Sequence, residues 1–229
     1  MKTVDLKSVE EFSKHVSPRS VPLSFRPYRA FGKRALDLLM ALALLPIIGP
    51  VLLVLALLVK TDGGPAFYVQ KRVGRHGKHF NCLKLRSMRI DAEAVLAELC
   101  RTDPDVRAEW ELYQKLDKDP RITRVGNFLR KTSLDELPQL INVLVGDMSF
   151  IGPRPFLPSQ HALYTSAGGS AYFKLRPGIS GPWQVSSRNA STFVERVQFD
   201  ETYLRSLSLC GDIRIALKTV AVILRASGK

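Results

Sequence analysis

The chain has 229 residues, 45% of them hydrophobic, with 34 Lys and Arg against 21 Asp and Glu and a net charge of +13. That length holds one domain with additions, and the charge calls for an anionic partner: nucleic acid, an anionic membrane surface or a phosphorylated substrate. Three widely spaced cysteines, Cys82, Cys100 and Cys210, support neither a disulfide framework nor a zinc site, and the four histidines lack ligand spacing.

Residues 1–30 read as a polar, mildly basic arm in which Pro18, Pro22 and Pro27 oppose a helix. The apolar run that follows starts too late for a cleavable signal peptide. From Ala35 to Val59 it carries one charge, Asp37, and about 25 such residues are long enough to cross a hydrocarbon core of ~30 Å. Pro46, Gly49 and Pro50 sit near its middle, where each proline removes a backbone donor. Both flanks are basic: Arg26, Arg29, Lys33 and Arg34 precede it, and Lys60, Lys71, Arg72 and Arg75 follow. Positive charge marks the cytoplasmic side, so a segment that enters and leaves by one face satisfies both flanks. Residues 31–60 are therefore expected to form a proline-broken re-entrant membrane helix, in preference to a span or a buried soluble helix.

Residues 61–229 have the pattern of a folded domain. Ala66–Arg72 and His79–Leu85 are rich in β-branched and aromatic residues and flank a glycine-bearing, cationic turn, which predicts a small β-hairpin. Helices are expected over Asp91–Leu99, Pro104–Leu116, Arg121–Lys131, Asp135–Val145 and Phe193–Ser206. Ser149 to Ser191 is dense in Gly, Pro and Ser and reads mostly as loop. A last helix, Asp212–Arg225, gathers Ile213, Leu217, Val220 and Leu224 on one stripe, with Arg214, Lys218 and Arg225 off it. That stripe either packs on the core or lies in the headgroup plane of a membrane. The fold class is mainly α with a small β-hairpin.

Four stretches carry chemistry. In Arg130-Lys131-Thr132-Ser133-Leu134-Asp135-Glu136, Ser133 and Glu136 fit a capping box. A carboxylate in the first turn of the ensuing helix sits at its positive end, which favours the ionised form of Asp135 as a nucleophile or metal ligand. Glu136 would point elsewhere on the helix and have a different task. Pro138 leaves open whether the helix starts at Ser133 or nearer Asp135. In the second stretch, Pro153 and Pro155 hold Arg154 in a stiff loop, suited to gripping a phosphate. In the third, Arg176 to Val185, Trp183 and Gln184 could stack on and hydrogen-bond a base or sugar, or simply close a tight turn. The fourth, Leu83 to Met88, sets Lys84 and Arg86 on one face if it is a strand.

In order, KRALDLL, the proline-broken apolar run, YVQKRVG, FNCLKLRSM, RKTSLDELPQLINVLVGDMSFIGPRP and LRPGISGPWQVSSR make the chain resemble the bacterial sugar transferases, the monotopic phosphoglycosyl transferases. The resemblance covers residues 33 to about 222 and looks strongest to undecaprenyl-phosphate galactose or glucose phosphotransferases of exopolysaccharide synthesis. It implies a re-entrant membrane helix on a cytosolic, α-rich catalytic domain with amphipathic surface helices, at the cytosolic face of a bacterial inner membrane. It implies transfer of a sugar 1-phosphate from a UDP-sugar to undecaprenyl phosphate, with UMP released through a covalent aspartyl intermediate. Asp135 matches the nucleophile and a Mg²⁺ ligand, and Glu136 its partner carboxylate. Arg130 and Arg154 match phosphate-gripping positions. Lys84 and Asp200, with Arg72 and Arg86, fall among the polar substrate-binding residues, and Pro50 matches the re-entrant break. Self-association into a homo-oligomer is left open. Ser180, Pro182 and Ser187 depart from the expected Thr, Leu and Gly, which bears on donor choice. An inactive membrane scaffold is the rival reading. A nucleic-acid binder is set aside, because it leaves the apolar run unexplained.

Overall fold

The computed structural model describes residues 27–113, 116–186 and 193–224. The polar arm lies outside these apart from its last four residues, as do Ser187 and Arg225. A turn of π-helix, Tyr28–Gly32, leads into α1, Lys33–Lys60. Its residues are apolar on every side, so burial of one stripe leaves the rest outward. Asp37, Ala41, Leu55, Ala56 and Val59 are buried, while Leu39, Leu42, Ile47, Leu53 and Leu57 are each more than half exposed. By length and composition the helix is able to cross a membrane.

The chain stays helical through Pro46 and Pro50. The break expected at Pro50 is therefore not a loop between two helices. Proline's fixed φ suits a helix, and its missing N–H interrupts the hydrogen-bond ladder at one place while the bonds on either side persist. Both ends of α1 rest on the same folded body. Toward its start, Ala41 and half-buried Ile48 pack with Cys82, Leu140, Val143 and Met148. At its end, Leu55, Ala56 and Val59 pack with Ala66, Leu85 and Leu129.

The predicted hairpin is present as β1, Phe67–Val73, paired antiparallel with β2, His79–Leu85, in the register Val73 to His79 and Phe67 to Leu85. Two helices, α2 (Ala92–Thr102) and α3 (Pro104–Tyr113), pack on each other before the chain returns through α4, Arg124–Thr132. The helix expected over Asp135–Val145 is shorter. A 3₁₀ turn, Leu134–Glu136, comes first, and α5 is Gln139–Val145 with Pro138 as its cap. Ser133 is left-handed, with φ 57°, and its N–H bonds the Arg130 carbonyl, so it closes α4 instead of opening α5. Its side chain makes no cap hydrogen bond, and the capping box with Glu136 does not form.

The stretch expected to be mostly loop holds a short parallel pair, β3 (Ser149–Ile151) with β4 (Gly178–Ser180). Glycine allows the close approach: a Cβ on Gly178 would lie 2.1 Å from the Gly152 nitrogen. Short helices α6 (His161–Ser166) and α7 (Pro182–Val185) follow β3 and β4 respectively. The chain ends in α8, Arg196–Ser206, and α9, Leu209–Leu224. On α9, Ile215 is buried, while Ile213, Leu217 and Val220 are at least half exposed. The predicted stripe thus faces outward and is not the face that packs on the core; the Leu224 side chain lies outside the described set.

Candidate active site

Three segments distant in sequence meet at one place. The end of β2 supplies Lys84, the 3₁₀ turn supplies Asp135 and Glu136, and the loop after β3 supplies Arg154. Lys84 Nζ donates to Glu136 Oε1 at 2.8 Å and lies 3.9 Å from Asp135 Oδ2. Arg154 Nη2 is 3.9 Å from the same Glu136 oxygen. The two carboxylates therefore converge on one lysine, contrary to the expectation that they point apart.

Side chains brace each segment. Asn142 on α5 accepts from the Leu83 N–H at 3.0 Å and donates to the Asn81 carbonyl at 2.8 Å, fixing β2 against the helix after the carboxylates. Arg34 of α1 donates to the Val143 and Leu144 carbonyls at 2.6 and 3.1 Å, where a cation complements the helix C-terminus. Asp37 accepts from Ser149 Oγ and the Phe150 N–H at 3.0 and 3.1 Å, holding β3 ahead of the Arg154 loop. Arg130, on the last turn of α4, donates from Nε to Ser87 Oγ at 2.8 Å, and its charge acts on Asp135.

The electrostatics separate the two carboxyls. Burial and the neighbouring Glu136 raise the Asp135 pKa above the ordinary range, against the pull of Lys84 and Arg130. Burial also opposes ionisation of Glu136, but Lys84, Arg154 and Arg72 outweigh it and hold Glu136 below its usual value. Adjacent acids driven in opposite directions are a mark of divided chemical roles.

The other predicted residues fall into three groups. Gln184 shares a cavity of about 220 Å³ with Glu136 and Arg154. Arg72 and Asp200 lie behind the Arg154 loop. Arg72 donates to the Pro155 carbonyl at 3.1 Å. Asp200 accepts from Tyr164 at 2.9 Å, and burial pushes its pKa up to about 7. Arg86 is turned away altogether, because it lies one residue beyond β2. Its guanidinium binds Asp62 and the Pro65, Met88 and Val59 carbonyls at the end of α1.

Sequence reasoning missed Arg196. Its guanidinium donates to the Arg154 carbonyl and sits 5.0 Å from the Trp183 ring and 4.9 Å from the Phe193 ring. Arg72 and Arg196 thus hold consecutive carbonyls of the Pro153–Pro155 loop and present the Arg154 side chain to Glu136. The spacing of Arg196 and Asp200, one helical turn apart, was the available signal.

Leu137, Leu140 and Phe150, with Ile48 of α1 and Val222 of α9, line the same cavity as Glu136 and Arg154. Paired carboxylates among cations, next to a cavity with apolar walls and an outward-facing apolar helix, define a class: an anion-handling site on a fold suited to a membrane surface. The chain belongs to the bacterial sugar transferase family, whose model matches residues 28–226. It is 48% identical over 198 residues to a UDP-galactose-lipid carrier transferase of Erwinia amylovora. It is 49% identical over 198 residues to an undecaprenyl-phosphate galactose phosphotransferase of Salmonella typhimurium. Each alignment covers 86% of this chain and 41% of the relative, so the chain spans less than half the length of these relatives. Exopolysaccharide production protein ExoY of Rhizobium meliloti is 43% identical over 204 residues, covering 89% of this chain and 90% of the relative.

Proposed function

We propose that the chain transfers a sugar 1-phosphate from a UDP-sugar, galactose or glucose, to undecaprenyl phosphate and releases UMP, as a membrane step of exopolysaccharide synthesis. The carrying observation is the convergence of Asp135, Glu136, Lys84 and Arg154, two of which, Glu136 and Arg154, line a cavity together with Ile48 of α1. Relatives named for UDP-galactose and for undecaprenyl phosphate support the substrates.

The Asp135 carboxylate attacks the β-phosphorus of the donor. The bond from that phosphorus to the bridging oxygen breaks, UMP leaves with the electron pair, and the sugar phosphate stays on Asp135. An oxygen of undecaprenyl phosphate then attacks the acyl phosphate, releasing the lipid-diphosphate sugar and the free carboxylate. Splitting the transfer in two is covalent catalysis. Lys84 and Arg154 offset charge on the transferred phosphoryl group, and Glu136 holds both cations in place.

Among the described residues no group of three His, Cys, Asp or Glu gathers for a metal. Mg²⁺ commonly uses only one or two protein carboxylates together with substrate phosphates, so Asp135 and Glu136 suit it. When bound it would neutralise diphosphate charge.

We further propose that α1 is re-entrant, leaving both its ends at the cytosolic face of the inner membrane. Packing of both ends on one folded body supports this. The outward Ile213, Leu217 and Val220 of α9, beside Arg214 and Lys218, suit a helix lying in the headgroup plane.

The test uses purified protein, undecaprenyl phosphate, Mg²⁺ and a panel of UDP-sugars, with UMP release measured for each. Release that requires the lipid phosphate, with UDP-galactose or UDP-glucose preferred, is expected. No release with any donor would leave the scaffold reading in its place.

A further inference from the structure

Gln184 lies on α7 with 8% of its surface exposed, and neither Nε2 nor Oε1 has a hydrogen-bond partner among the described residues. It lines the cavity that holds Glu136 and Arg154. Two other polar groups on that wall are engaged: Ser180 Oγ and Thr219 Oγ1 pair at 2.6 Å, and Thr219 donates to the Ile215 carbonyl at 2.8 Å. A buried amide left unbonded on both sides destabilises a fold, and an apolar side chain of the same length would fill the space without that cost. Packing therefore gives no reason for a glutamine here. A ligand that bonds both atoms does.

The chemistry of the amide selects that ligand. It presents one donor and one acceptor, both neutral. A phosphate offers only acceptors and would leave Oε1 facing negative charge. An isoprenoid chain offers neither. A sugar hydroxyl both donates and accepts, and so does the imide edge of uracil. In a UDP-sugar, the sugar is joined directly to the phosphorus that Asp135 attacks, whereas uracil is separated from it by a second phosphate and the ribose. Gln184 shares a small cavity with Glu136 and Arg154, so the nearer group is the one within its reach. The apolar walls formed by Phe150, Ile179 and Val185 suit the C–H face of a hexose.

We propose that Gln184 is a donor-specificity residue whose buried amide hydrogen-bonds a ring hydroxyl of the transferred sugar. The inference rests on the UDP-sugar transferase reading of the site. It accounts for an orphaned amide held on the wall of the cavity that Glu136 and Arg154 line.

Gln184→Met removes the amide and keeps the length. Wild type and variant are compared with UDP-galactose, UDP-glucose and a series of monodeoxy UDP-galactose donors. The readouts are kcat/KM for the donor, kcat/KM for undecaprenyl phosphate, and Tm. The variant should melt at or above the wild-type temperature. Its donor kcat/KM should fall about 10- to 100-fold, the scale of a lost buried hydrogen bond. One monodeoxy donor should show the same loss with wild type and no further loss with the variant, the mark of a direct pair in a double-mutant cycle. Equal discrimination by both proteins against every deoxy donor overturns the inference. So does a defect confined to kcat/KM for undecaprenyl phosphate, which would assign Gln184 to the acceptor. A lower Tm in the variant also overturns it, because the amide would then be structural. If wild type consumes no UDP-sugar, the functional reading itself fails and takes this inference with it; the three outcomes before it leave that reading standing.

Discussion

Glu136 acts on Asp135 through charge as well as through position. Its negative charge raises the Asp135 pKa, and the lysine it binds would otherwise be free to approach Asp135. Glu136→Gln should therefore move the acidic limb of the kcat/KM profile for the donor to lower pH, while turnover falls about 100-fold as the cations lose their anchor. An unmoved or upward-shifted limb would contradict this. Asp200 titrates with the fold instead. Its pKa stands near 7, above the ordinary 3.8, because burial disfavours the charged form. A raised carboxyl pKa means that the folded state binds the proton more tightly. Its stabilising contribution is complete below about pH 4 and is lost as pH rises through about 7. Asp200→Asn keeps an acceptor for Tyr164 and should flatten Tm against pH over that window. An unchanged slope would show that Asp200 does not titrate there.

Helix α1 braces the candidate site as well as presenting an apolar surface outward. Arg34 holds the end of α5 and Asp37 holds β3, so its first turns brace two of the three segments that carry the site. Asp37→Ala removes an acceptor for two hydrogen bonds. It should lower Tm by several degrees, as losses of ~1–3 kcal/mol do, and lower kcat about tenfold with KM little changed. Asp37→Asn keeps an oxygen acceptor and should restore both. Equal damage from both variants would point to the charge itself. Elements with a period of their own were legible in the sequence. The hairpin over 66–85, α1 and the helices flanking the carboxylates follow from alternation, apolar length and turn residues. The pairing of β3 with β4 was not legible, because three-residue strands have no measurable period and are defined by a partner about thirty residues away. The start of α5, which the sequence leaves open between Ser133 and Asp135, lies at Gln139 for a related reason. Ser133 and Glu136 have the spacing of a cap, but the tertiary fold uses Ser133 to end α4. The site was visible as separate motifs. That Lys84 would meet Glu136, 52 residues away, is a property of the packed chain.

Over the whole molecule, the net charge of +13, an outward apolar α1 and an outward apolar stripe on α9 suit the proposed placement at a membrane surface. If both ends of α1 stay on the cytosolic side, single cysteines placed at Arg29 and at Thr61 in a cysteine-free background should both escape a membrane-impermeant thiol reagent added to intact cells. Labelling of either one from outside would mean that α1 crosses the bilayer and would break the re-entrant reading. The chemistry makes the sharper demand. Purified protein given UDP-galactose and Mg²⁺ without lipid phosphate should gain the mass of a hexose phosphate, located by peptide mapping to Asp135. Undecaprenyl phosphate should then discharge it, and Asp135→Asn should form none while remaining folded. Hexose phosphate on Asp135 that then passes to the lipid is expected. An active enzyme that carries no adduct on Asp135, quenched and mapped under conditions that preserve acyl phosphates, would contradict it.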